Sequence, residues 1–175
     1  MRPTTVMTND PDIPLVNMIL AGERHAFEEL VNRHKRYAFT IAFKILQNRP
    51  EAEEAAQDSF IKAYHHLKGF NRQSKFSTWL YRIVFNTSIT YKRKNRHRFQ
   101  DIEDTVLEYD QKADESLEKS DKKKYLDQAM TRLNENDRTA LTLFYLNEFS
   151  LEEIGEIMSM QVNTVKISSA EAIRY

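Results

Sequence analysis

Glycine and proline, the residues that most often end a regular element, are almost missing from the body of this chain. Its 175 residues hold 3 glycines, at positions 22, 69 and 155, and 4 prolines, of which Pro3, Pro11 and Pro14 crowd the first stretch. Strands joined by tight turns need such punctuation far more often than helices do. Hydrophobic residues at 41% suffice for a core, and 30% charged residues suit helices with solvated faces. An all-α fold follows as the expectation.

The apolar pattern divides that fold into two small helical domains joined by an acidic linker. Residues 1–12 read as a disordered leader. From Ile13 to about Gln47, apolar residues return every three or four positions, the helical period, with a break at Gly22. Pro50 is placed as a first-turn proline for a helix running to Lys68, with Ala52, Ala56, Phe60, Ala63, Tyr64 and Leu67 as its buried stripe and Gly69 as its C-cap. A polar loop over 70–77 leads to a helix from Ser77 or Thr78 to about Arg96. The first domain thus spans 13–98 and the acidic linker 99–121. The second domain, 122–175, starts with a helix around Tyr125–Leu133. A second helix, Asp137–Asn147, is expected to face Ala140, Leu141, Phe144 and Tyr145 inward.

Three features carry chemistry. Ser150–Lys166 reads as a short helix opened by a capping box (Ser150, Glu153), a tight turn and a second helix from Val162, with small Gly155 where the two approach. That is the helix-turn-helix plan, which lays its second helix in the DNA major groove. The same pattern also fits an ordinary helical hairpin. In the second feature, aromatic residues from Phe70 to Tyr91 interleave with Arg72, Lys75 and Arg82. They lead into the cations Lys92, Arg93, Lys94, Arg96 and Arg98. Rings for stacking and cations for the backbone suit single-stranded nucleic acid, and exposed loop rings could hold an extruded base. Helix-spaced Trp79 and Phe85 fit a core equally well. The third feature is a face of Glu54, Gln57, Asp58 and Ile61, three or four apart and off the buried stripe, which is a candidate protein-binding surface.

The net charge is zero, but the basic cluster stands apart from the acidic stretch behind it, so local phosphate binding is compatible with neutrality. The chain has no cysteine, no glycine-rich phosphate loop and no H-E-x-x-H motif. No catalytic role, cofactor or metal is expected. No apolar run approaches a membrane span, so a cytoplasmic location is the expectation. At this level, a free-standing helix-turn-helix regulator and a purely structural helical interaction module both remain open.

In order along the chain, AFEELVNRHKRYAFTIAFKIL, EAEEAAQDSFIKAYHHLKGF, FSTWLYRIVFNTSITYKRK and LNENDRTALTLFYLNEFSLEEIGEIMSMQVNTVK resemble the extracytoplasmic-function (ECF) sigma factors of the bacterial sigma-70 superfamily. The resemblance covers about residues 13–170. It implies a first domain like sigma region two and a second like sigma region four. Together they would direct core RNA polymerase to promoter DNA and assist melting. It also implies docking of Glu54, Gln57, Asp58 and Ile61 on core polymerase. Minus-ten DNA would be met by Phe70, Asn71, Arg72, Ser74, Phe76, Asn86, Thr90 and Arg93, with phosphates on Lys92, Lys94, Arg96 and Arg98. Minus-thirty-five DNA would be met by Asn163, Thr164, Lys166 and Ser168, and an anti-sigma factor is an implied partner. The chain departs from the pattern at ISSAEAIRY (167–175). Ser168 and Glu171 stand where basic residues are usual, and Glu171 is expected to repel phosphate.

Overall fold

The computed structural model describes residues 10–99, 133–147 and 149–165, with side chains apart from those of 96–99, 146 and 147. Among the described residues every regular element is helical. These are α1 (Ile13–Leu20), α2 (His25–Leu46), α3 (Arg49–His66), a 3-10 turn (Leu67–Gly69), α4 (Phe76–Phe99), α5 (Glu135–Asn147) and α6 (Leu151–Met158). The backbone becomes helical again at 162–165. The expected linker over 100–121 and the helix around Tyr125 lie outside the described residues.

Helices α2, α3 and α4 each pack on the other two, and α1 lies on α2. The stripe Leu30, Ala38, Ile41, Ala42 and Ile45 buries one face of α2. Ala52, Ala56, Phe60 and Ala63 do the same for α3, and Leu80 and Val84 for α4. Each fully buried Leu, Ile or Val side chain contributes roughly 1.5–3 kcal/mol relative to exposure. The breaks between helices have local causes. Gly22 sits at φ +102, a backbone region that L side chains rarely adopt. Gln47 closes α2 in a left-handed conformation (φ 54), and the Asn48 side chain then caps α3 by accepting from the Glu51 amide at 3.0 Å.

Four expectations require correction. Gly69 is no left-handed C-cap; α3 instead tightens into the 3-10 turn, closed by Phe70 N–H donating to Leu67 O at 3.1 Å. Tyr64 is 41% exposed, resting one edge on Phe27 at 4.9 Å while the rest meets solvent. Phe144 and Tyr145, 40% and 61% exposed, lie just past the run 138–143 over which α5 is buried, where its contacts give out. The leader is ordered where it is described: Asp10 and Asp12 are buried. Asp12 Oδ2 lies 2.7 Å from His34 Nε2, and His34 Nδ1 lies 2.8 Å from the Tyr81 hydroxyl.

The second group of helices packs on the first, α5 against α2 and α6 against α4. Buried Arg138 donates to Lys44 O at 3.0 Å. Lys92 pairs with Glu135, and Lys75 pairs with Glu153 at 2.8 Å. Phe149 meets Tyr81 edge to face at 5.7 Å.

The hairpin of α6 and 162–165 depends on Gly155. A Cβ there would stand 2.8 Å from the Met160 carbonyl oxygen, a backbone atom that cannot swing aside. Alanine is favoured over glycine inside a helix by about 1 kcal/mol, so a net loss isolates the clash. Gly155→Ala is expected to destabilise the protein, with an overpacking cost of about 1–3 kcal/mol. A lower Tm in thermal unfolding would show it, and a Tm raised as helix propensity alone predicts would refute the close approach.

Candidate nucleic-acid interface

The loop between the 3-10 turn and α4 is built on aromatic rings, but it does not offer them to solvent. Phe70 and Phe76 are 8% and 1% exposed. Their centroids lie 5.8 Å apart and 5.3 and 5.7 Å from that of half-buried Trp79. This corrects the expectation of exposed rings: three aromatics within one loop and the next helical turn bury more area by packing on one another. The rings form the floor of the loop. Its solvent side belongs to Asn71, Arg72 and Gln73, with Ser74 half-buried.

The loop's shape is specific. Asn71 Oδ1 accepts from the Gln73 amide at 3.1 Å, an Asx turn. Arg72 sits at φ 59, a left-handed conformation that costs a non-glycine residue on the order of 1 kcal/mol or more. Its Nη2 donates to Asn17 Oδ1 on α1 at 2.5 Å. At the far end, the Phe76 amide donates to Asp10 Oδ2 at 2.6 Å. The first N–H of α4 is therefore capped by a carboxylate 66 residues away in sequence.

Along α4, Asn86, Thr90 and Arg93 are exposed and share a face, spaced four and three apart. The Thr90 hydroxyl donates to Asn86 O at 2.9 Å. Lys94 is exposed, whereas half-buried Lys92 is engaged with Glu135. The side chains of Arg96 and Arg98 lie outside the described residues.

On α3, Glu54 and Gln57 are exposed and Ile61 is 56% exposed, so these three share an outward face with half-buried Asp58. Asp58 Oδ2 accepts from the Tyr91 hydroxyl of α4 at 2.5 Å. Burial, then the Asp58 and Glu54 carboxylates, hold the Tyr91 phenol well above its ordinary value. Burial, with Asp12 and Tyr37 nearby, does the same for Tyr81.

The hairpin in the second group matches its expected form. Ser150 Oγ accepts from the Glu153 amide at 3.2 Å, and Glu153 Oε2 accepts from the Ser150 amide at 2.9 Å, completing the capping box. Ser159 turns the chain at φ 55. Ile154 and Val165 are buried across the corner, leaving Asn163 and Thr164 exposed at the start of the following helical stretch. Lys166, Ser168 and 167–175 lie outside the described residues.

Sequence reasoning missed Asp10, Asp12 and Asn17 as anchors of this region, and the Tyr91–Asp58 bond between helices. No spacing rule joins partners 22, 55 or 66 residues apart.

With that geometry in view, residues 30–98 match the family model for Sigma-70 region 2, and residues 123–168 match that for Sigma-70, region 4. The chain belongs to the sigma-70 family, in its ECF branch. It is 35% identical over 167 residues to the ECF RNA polymerase sigma factor SigW of Bacillus subtilis, covering 86% of this chain and 87% of that protein. It is 30% identical over 167 residues to an ECF RNA polymerase sigma-E factor of Haemophilus influenzae, covering 89% and 87%. The fold also matches the sigma factor RpoE of Bartonella quintana, solved in complex with the anti-sigma factor NepR. There the TM-score is 0.72 at 22% identity, over 85% of this chain and 92% of that one.

A raised folded-state value favours the protonated phenol. The stability that Tyr81 and Tyr91 add is therefore complete below the ordinary value of 10 and is lost as pH rises through the raised ones. In an alkaline titration followed by phenolate absorbance, both should ionise after the ordinary tyrosines. Tyr91→Phe should remove one phenolate from the late phase. Loss from the ordinary phase instead would place Tyr91 in solvent.

Proposed function

We propose that this chain directs core RNA polymerase to promoters as an ECF sigma factor and helps to open the DNA there. The observation that carries the reading is that both sigma regions stand in order on one chain, each presenting an exposed polar face where the family meets DNA. On α4 that face is Asn86, Thr90 and Arg93; on the hairpin it is Asn163 and Thr164. We assign region two to about 13–98 and region four to 122–175, with 99–121 between them.

In this reading, Asn163 and Thr164 approach the minus-thirty-five duplex from the helix start, where the dipole favours phosphate and side chains reach base edges. Lys166 and Ser168 extend that contact. Asn86, Thr90 and Arg93 meet minus-ten bases and phosphates, with Lys94, Arg96 and Arg98 adding charge. Lys92 joins them once released from Glu135. An unstacked base of the non-template strand enters at Asn71, Arg72 and Ser74, above the floor of Phe70, Phe76 and Trp79. Capturing one base recovers a few kcal/mol, and only in the melted state, so it shifts duplex toward open. Glu54, Gln57, Asp58 and Ile61 dock on core polymerase, which supplies the chemistry; this chain supplies the address and is not an enzyme. Among the described residues no helix is long and apolar enough to cross a membrane. A cytoplasmic location and control by an anti-sigma factor complete the proposal. The partner is supported by the relative solved with one.

Runoff transcription with purified core enzyme tests the reading. The full chain should give defined transcripts and permanganate-reactive thymines near their start sites. Binding of promoter duplex by the chain alone, with no change on adding core enzyme, would favour a free-standing regulator. Gln57→Lys with Ile61→Asp alters the docking face while sparing the Asp58–Tyr91 bond. It should weaken core association about tenfold or more, as misplaced interface charge does. Unchanged association would remove this face from the docking surface.

A further inference from the structure

Two residues from the N-terminal segment tie the 70–75 loop at two points, its middle and its junction with α4, and neither is among the residues read above as meeting DNA. Asn17, exposed on α1, accepts from Arg72 Nη2 at 2.5 Å. Buried Asp10 accepts from the Phe76 amide at 2.6 Å. Both precede residue 30, where the match to region two begins.

We propose that Asp10 and Asn17 are positioning residues for promoter opening, holding the 70–75 loop in the shape that receives an unstacked base. The proposal rests on the reading of that loop as the base trap.

Three observations support it. Arg72 occupies a left-handed conformation that an arginine does not favour by itself; the Asx turn of Asn71 spans it from within the loop, and a tie from outside adds to that hold. Asn17 supplies that tie. The amide that opens α4 would otherwise be an unpaired donor in a buried place. Asp10 satisfies it with a carboxylate, the acceptor that a helix start favours. Asp10 is itself fixed: its Oδ1 accepts from the Asp12 amide at 3.0 Å, and Asp12 is bonded to His34 at 2.7 Å and to Arg33 at 3.3 Å. The clamp therefore stands on the α2 core rather than on a loose strand of chain. Between the two tied residues, Arg72 and Phe76, lie exposed Gln73 and Lys75 and half-buried Ser74.

Order in the free loop matters energetically. A loop that must first settle into shape subtracts that ordering cost from base capture, whereas a loop already in shape does not. Asp10 and Asn17 thus act on melting without touching DNA.

The test uses the full chain reconstituted with core polymerase. Its probes are fork-junction DNAs in which a single abasic site is walked along the minus-ten non-template strand. For the wild type, one abasic position should weaken binding about tenfold relative to intact DNA, the scale of one stacked base. Asn17→Ala and Asp10→Ala should cut that intact-to-abasic ratio about threefold or more, because a disordered loop gains less from the base. Core affinity should remain within about twofold, as expected for sites remote from the docking face. Asp10→Asn keeps an acceptor and should restore most of the ratio. An unchanged ratio in both alanine variants overturns the proposal. So does an equal loss of core affinity and of binding to both probes with the ratio intact, which is the mark of a purely structural role. If no abasic position weakens the wild type, the base-trap reading itself fails, and the positioning role with it.

Discussion

A buried carboxylate just before α1, bonded to α2 and linked through it to α4, organises this molecule. Asp12 is 4% exposed, and burial by itself pushes its carboxyl up. Hydrogen bonding and charge from His34, then Arg33, outweigh that push and hold it below the ordinary carboxylate range. His34 passes the connection on through its other ring nitrogen to Tyr81, and Tyr81 carries Phe149 on its edge. A polar chain therefore joins the segment before α1, the middle of α2 and the first turns of α4, and an aromatic contact extends it to the loop before α6. Breaking such a pair from one side leaves an uncompensated buried charge, at about 3–5 kcal/mol. The His34–Tyr81 bond ties α4 to α2, and the Phe76 amide ties the loop in front of α4 to the same N-terminal segment.

What the amino-acid order discloses about this fold is what repeats locally. Among the described residues, the helices fall within about three residues of where their periodicity places them. The capping box at Ser150 and the tight corner at Gly155 are legible because their partners are three to five residues away. Facing is harder. Tyr64, Phe144 and Tyr145 lie at helical spacing from buried neighbours, yet each sits at the border of its stripe, where an amphipathic or paired ring tolerates water. Phe70 and Phe76 err in the opposite direction. They lie in a segment polar enough to read as loop, and packing on each other, on Trp79 and, for Phe76, on His34 makes them core. Asp10 and Asn17 have no local signature, because their partners are brought near by the whole helical body.

The candidate interface divides its labour accordingly. Rings set the floor and the core sets the position, while the groups left outside are small amides, hydroxyls and cations that exchange water for DNA at modest cost. The packing beneath explains why they are held in one orientation before any DNA arrives.

Glu153 carries a consequence for how the two halves stay together. One of its oxygens closes the helix cap at Ser150, and the other holds Lys75 beside the loop. The cap is local to region four and persists wherever that region goes. The bond to Lys75, like that of Lys92 to Glu135, lies in a partly wet seam that dissolved ions screen within about 8–10 Å at physiological strength. The contact of Tyr81 with Phe149 is indifferent to salt. The seam is thus a mixed joint, one part graded by ionic strength and one part not, and the graded part holds two lysines of the region-two half.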